Sequence, residues 1–327
     1  MKKVVRKKYV GILRKLILLI DSFLSNLLLI FSALVFLFGL YALWDSNQVY
    51  LTASSSQYEA YKPHSSTSDD ILNSFGGFGQ LQKLNADVIG WLNIYGTRID
   101  YPIVQGKDND KYINTDSKGN YSPTGALFLD YRNSSNFDDF NSIIYGHHVE
   151  NGVMFGDLSK FTNQKFFKNH HYGSIYYNGK EKGLEIIAVL EVDAYNFDIY
   201  HPGVSGDAER LSYYQNLLSG AIYKRDITIT PNDQIILLST CYLDVTNGRH
   251  IVIAKMTSDV QPNTFKKINK DPFPYSVFDD STLGKFFKRI PLLAWYIIIL
   301  CLAILLIILL IILYRMLKWR REEHSNR

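Results

Sequence analysis

The chain has 327 residues, a formal net charge of +4, 47% hydrophobic residues and only two cysteines. Most of the excess positive charge lies near the two ends. With no dedicated basic stripe between them, a nucleic-acid-binding protein is not indicated. Two cysteines placed as these are exclude a disulfide-built scaffold.

In chain order, residues 1–26 are a basic segment with Lys2, Lys3, Arg6, Lys7, Lys8, Arg14 and Lys15. Residues 27–44 (LLLIFSALVFLFGLYALW) follow without a charge. A helix rising about 1.5 Å per residue needs roughly 18–20 apolar residues to cross about 30 Å of hydrocarbon. This run reaches that length, as does 291–314 (PLLAWYIIILCLAILLIILLIILY). The sequence LTA at 51–53 is a poor signal-peptidase site, so the first run reads as an uncleaved anchor. Arg315, Lys318, Arg320 and Arg321 follow the second run, within the basic tail 315–327. The positive-inside rule then places both termini in the cytoplasm and the chain between the spans outside the cell.

Outside the membrane, residues 45–80 are polar and Ser-rich at first and read as a stalk. A helix is predicted over 71–85 despite three glycines, and 261–290 reads as a second linker. Between them, 81–260 forms one domain of ordinary size. Short β-branched and aromatic runs recur along it, beginning at Arg98, Ala126, Ser142, Ser174, Leu184, Asp226, Gln234 and Arg249. A second helix is predicted over 207–222, with Asp207 as its N-cap and apolar residues at 211, 214, 217, 218 and 222. Eight strands with helices at the margin predict a mostly β fold, a small closed barrel without exposed sheet edges.

Cys301 falls in the second apolar run, so Cys241 is a lone thiol outside the cell, where a leftover cysteine suggests reactivity or an intermolecular link. It ends one strand, and Arg249 opens the next after YLDVTNG, whose Asn247-Gly248 is a hairpin signal. The two residues should face each other across the open end of that hairpin. A guanidinium favours the thiolate and can hold a carbonyl oxygen on which negative charge develops. The third stretch is SIIYGHHVENGVMFGDL (142–158), where a strand delivers His147 to its exit. A histidine so placed can act as general acid and base. The pairs His147-His148 and His170-His171 point to opposite strand faces and lack HExxH or CxxC companions, so neither metal nor other cofactor is expected.

These stretches together resemble the sortases, membrane-anchored cysteine transpeptidases of Gram-positive bacteria. LSTC at 238–241 is similar to the family's TLxTC, with Leu237 in place of the first Thr. RHIVIA at 249–254 resembles its Arg-x-aliphatic-Val-x-Ala strand, and YGHH carries its Gly-His. The stretches around 90–113 and 145–158, and the helix at 207–222, resemble class B. The resemblance covers roughly 85–256 and implies an eight-stranded sortase barrel flanked by the two transmembrane helices. It implies Cys241 as nucleophile, His147 as acid and base, and Arg249 as oxyanion and substrate ligand. Ser239 and Thr240 would line the substrate site. The implied partners are surface proteins or pilins with a C-terminal sorting motif cut after Thr, and an amine from a pilin lysine or peptidoglycan crossbridge. A second span is more typical of class C enzymes, whose Asp-Pro-aromatic lid precedes the barrel; here Asp271-Pro272-Phe273 follows it. Two other classes fit less well. In a papain-like or NlpC-type peptidase the Cys precedes the His. A membrane-bound receptor has no need of Cys, His and Arg at three strand ends.

Overall fold

The computed structural model describes residues 2–63, 71–149, 152–241 and 248–265, together with 307, 311 and 314. The chain divides into two compact units, and one of them runs from Gln48 to Pro272. Helix α1 spans Lys2–Ala53. Its stretch Arg14–Ala42, 29 residues, is long and apolar enough to cross a membrane. That stretch starts well before residue 27, because Asp21, Ser22, Ser25 and Asn26 interrupt the apolar sequence without ending it. The second expected span lies outside the described residues, apart from 307, 311 and 314.

The stalk expected over 45–80 is not a loose polar spacer where it is described. The chain leaves α1 into a 3₁₀ turn, Ser55–Tyr61, with Ala53 and Tyr58 buried against the barrel. The Tyr101 hydroxyl donates to the Ala53 carbonyl at 3.0 Å, and Lys62 pairs with Asp100 at 2.6 Å. Helix α2, Ile71–Leu84, adds Phe78 and Leu81 to the core. The serines misled over 54–61, where the buried Tyr58 is set among polar neighbours.

Nine strands form the sheet: β1 (Val88–Ile94), β2 (Asp100–Val104), β3 (Leu127–Leu129), β4 (Asn141–His147), β5 (Tyr172–Tyr177), β6 (Lys180–Asp193), β7 (Ala221–Lys224), β8 (Ile235–Cys241) and β9 (Gly248–Thr257). Their order is β5-β1-β2-β3-β4-β8-β9-β6-β7, and β5 also pairs with β6. Eight strands therefore close a barrel, and β7 is a ninth outside the ring. The length of β6 makes this possible: residues 180–185 pair with β5, while 188–190 pair with β7 along the same edge. On the other edge β9 pairs with β6 from Gly183 to Asp193.

The barrel has the eight strands expected, but its membership differs by one exchange, and β7 is an unexpected ninth strand. The run DITIT from Asp226 alternates like a strand yet pairs with none; it is extended chain fixed by Tyr214 to the Ile227 carbonyl and Lys255 to the Thr228 carbonyl. In its place stands β1, whose VIGWLNI is broken up by Gly90 and Asn93. Helix α4 is Asp207–Ser219, with Gly206 rather than Asp207 at the N-cap. Gly206 has φ +89°, a left-handed position that favours glycine. Ile222, expected on the helix, lies in β7. Between β4 and β5, α3 spans Gln164–Asn169, capped by the Asn163 side chain.

The period of two sorts the central strands into two faces. Ile144, Ile236, Leu238, Val252 and Ala254 join β1 and β2 side chains inside the barrel. Ile143, Ile235, Leu237, Ile251 and Ile253 point outward, into a second cluster with Tyr213, Tyr214 and Leu217 of α4. Each such fully buried aliphatic contributes about 1.5–3 kcal/mol. The helix thus covers part of the outer face of β8 and β9, the face to which the odd-numbered positions belong.

Candidate active site

β4 and β8 lie side by side and parallel, in a register that pairs Tyr145 with Ser239, Gly146 with Thr240 and His147 with Cys241. Paired positions of neighbouring strands share a face and lie about 5 Å apart. Position 241 therefore sits beside His147 at the ends of two central strands. β9 runs antiparallel on the other side of β8, with Ser239 opposite Ile251. Continuing that register sets Cys241 opposite Arg249, the juxtaposition expected from the hairpin. The turn expected at Asn247-Gly248 falls mostly outside the described residues.

His147 is 7% exposed, and neither ring nitrogen has a hydrogen-bond partner among the described residues. Burial holds its pKa below the ordinary 6.5, and the nearby Arg249 charge pushes it the same way. Arg249 donates one bond from Nη1 to the Thr240 carbonyl at 2.9 Å. That single anchor fixes the guanidinium beside the residue preceding Cys241 and leaves its other donors without a partner among the described residues. His148 is on the other side of the strand, its ring 6.4 Å from that of His250. The even–odd alternation thus separates the two histidines of the pair.

Ser239 and Thr240 are each 1% exposed. The Thr240 hydroxyl accepts the His250 backbone N–H at 3.1 Å, stitching β8 to β9 where regular pairing ends. The Ser239 and Tyr200 hydroxyls are hydrogen-bonded at 3.0 Å. Both side chains therefore hold protein groups. Sequence reasoning passed over Tyr200, Tyr145 and the acidic residue that holds Tyr145, Asp130. One signal was available: Asp130 interrupts the run ALFLDY just where β3 ends.

A closed barrel that brings a strand-end cysteine beside a buried histidine and an arginine is an arrangement that suits one class, the cysteine enzymes of acyl transfer. The comparisons narrow it. The sortase-domain profile matches residues 92–257. Sortase B of Listeria monocytogenes is 38% identical over 182 residues, 54% of this chain and 73% of that protein. A Streptococcus pyogenes class B sortase involved in pilus biogenesis is 37% identical with a TM-score of 0.51, over 55% of this chain and 97% of that one. Clostridium perfringens sortase B, solved as a Cys-to-Ser mutant, is 32% identical with a TM-score of 0.57, over 62% of this chain and 95% of its own. The chain belongs to the sortase family of cysteine transpeptidases, and the relatives it resembles are class B enzymes.

Proposed function

We propose that this enzyme cuts the C-terminal sorting motif of surface proteins after Thr and joins the new carboxyl end to an amine. The Cys241 thiol passes its proton to neutral His147 as its sulfur adds to the Thr carbonyl carbon, and Arg249 holds the oxyanion. The C–N bond breaks as the His147 imidazolium gives its proton to the leaving nitrogen, and a thioester remains. An incoming amine attacks that thioester, neutral His147 takes its proton, and the C–S bond breaks as that proton passes to the sulfur and restores the thiol. The observation that carries this reading is the register pairing of His147 with Cys241, with the histidine ring buried and without a hydrogen-bond partner among the described residues. Ser239 and Thr240 enter through the groups they hold, Tyr200 and the His250 backbone, and through the nearness of their own backbone to Cys241.

A pilin lysine is the amine we favour, supported by the similarity to a class B enzyme involved in pilus biogenesis. A peptidoglycan crossbridge is the alternative acceptor. The α1 helix would anchor the barrel at the outer face of the membrane, with the second span 291–314 returning the chain to the cytoplasm. The test incubates the full chain in detergent with peptides bearing Asn-Pro or Leu-Pro sorting motifs. Mass spectrometry should find a thioester on Cys241, released faster by a pilin-derived lysine peptide than by a crossbridge peptide. Cleavage without any adduct on Cys241 would overturn the mechanism.

A further inference from the structure

Asp130, at the end of β3, has no exposed surface, yet its carboxylate is fully engaged. Arg132 grips it with both prongs, Nε to Oδ1 at 2.9 Å and Nη2 to Oδ2 at 2.8 Å. The Tyr145 hydroxyl donates to Oδ2 at 3.0 Å and Asn109 Nδ2 at 3.1 Å. Burial alone would raise this carboxyl, but the bonds from Arg132 and Asn109 outweigh it and keep the pKa below the ordinary range. Arg132 Nη2 also reaches the Tyr200 carbonyl at 3.3 Å. Tyr200 stacks on Tyr145 with ring centroids 6.2 Å apart and meets Ser239 through its hydroxyl at 3.0 Å. One carboxylate–guanidinium pair thus ties the chain after β3, strand β4 and the β6–α4 connection together on the face that carries His147. None of these contacts is needed to close the barrel, since β3 and β4 already pair through Phe128 and Leu129.

We propose that the Asp130–Arg132 pair positions the enzyme for transpeptidation by holding Tyr145 and the Tyr200 segment over the end of β8. The ordered segment forms the wall against which the sorting peptide binds, so the pair acts on substrate binding rather than on the reacting sulfur. This rests on Cys241, His147 and Arg249 being the reacting groups. The guanidinium is the informative half to remove, because Arg132 is 43% exposed and its loss leaves no cavity in the core.

The experiment uses the full chain in detergent with Arg132→Gln, Arg132→Lys and Asp130→Asn. Lys62→Gln serves as a control that breaks the unrelated Lys62–Asp100 pair. Arg132→Gln should raise KM for the sorting peptide about tenfold, with kcat within about threefold of the parent. Methanethiosulfonate labelling of Cys241 should keep its rate. Arg132→Lys should not restore KM, because an ammonium cannot make the two-pronged contact. Lys62→Gln should leave KM alone. Amide hydrogen exchange across 194–205 should accelerate in Arg132→Gln. A KM within twofold of the parent, or slowed thiol labelling in step with turnover, overturns the proposal. Unchanged exchange across 194–205 overturns it even if no peptide is turned over, and Arg132→Gln decides the matter if Asp130→Asn fails to fold. A parent chain whose Cys241 never acylates, while exchange responds as expected, would count against the reaction scheme alone.

Discussion

Two buried histidines in this barrel stand in opposite situations. His147 at the exit of β4 is 7% exposed and His170 at the end of α3 is 9% exposed. In both, burial is the largest influence and pulls the pKa below 6.5. Around His170 the protein has supplied what burial removes. Its Nδ1 lies 2.8 Å from the Phe166 carbonyl, and its ring stacks on Phe166 at 3.6 Å and on Phe265 at 4.7 Å. Even the approach of Gly96 is fitted to it: a Cβ there would lie 2.6 Å from Cδ2 of the ring. His170 thereby clasps the segment after β9 onto the barrel. Around His147, neither ring nitrogen has a hydrogen-bond partner among the described residues, and the Arg249 charge adds to the effect of burial. An unsatisfied buried polar group costs about 1–3 kcal/mol, and a fold keeps one where chemistry requires it. His170 is buried with partners and serves the architecture; His147, buried with none among the described residues, is the group we propose for the chemistry.

The largest expected effect separates the two histidines by activity. His147→Ala should lose about 10²–10⁴-fold in turnover of a sorting peptide, and Cys241→Ala all of it, while thermal midpoints stay close to the parent. His170→Ala should turn over normally below its melting temperature. Equal losses at both histidines would erase the distinction. Next in size is Arg249→Lys, which keeps the charge but not the planar fork anchored on Thr240. It should lose about a hundred- to a thousandfold in turnover, the usual cost of an oxyanion donor, with Cys241 still labelled by a thiol reagent. His250→Gln, on the other face, should stay within a few-fold; a collapse there would move the site to the inner face.

A smaller effect runs the other way, in stability. His170→Ala removes a double aromatic stack and a hydrogen bond, and should cost about 2–3 kcal/mol by denaturant unfolding. His147→Ala should cost less, since it also removes two buried nitrogens that have no hydrogen-bond partner among the described residues. The smallest effect is in the pH dependence. A histidine depressed in the folded state stays neutral while the unfolded chain takes up its proton, so the stability it contributes is present above about pH 6.5 and is lost as pH falls toward the folded pKa. Both histidines should contribute to a declining thermal midpoint below pH 6.5. His147→Gln and His170→Phe should each flatten that decline, and a slope unchanged in both variants would show that neither pKa is depressed.

How much of this was legible beforehand depended on distance along the chain. Helix α1, the alternating strands β2 to β6, β8 and β9, and the order of His, Cys and Arg could be read because a period of two or an apolar run is written in adjacent residues. The strand β1 was passed over because Gly90 and Asn93 break its pattern, and DITIT was taken for a strand because alternation alone does not provide a neighbour. The Tyr200–Ser239 bond joins residues 39 apart, and Arg132 reaches Tyr200 across 68. No local pattern encodes such a meeting.

By itself, then, the sequence determined the apolar helix, the β character of the domain and the residue types of the site, because hydropathy and side-chain chemistry belong to each residue wherever it lies. Only the tertiary structure decided that β6 would serve two partners on one edge and that 53–61 would pack rather than dangle. It also separated His147 from His148 by face and gave His170 its partners. These outcomes depend on which distant backbone and side-chain groups arrive together when the barrel closes, and in the unfolded chain those neighbours do not yet exist.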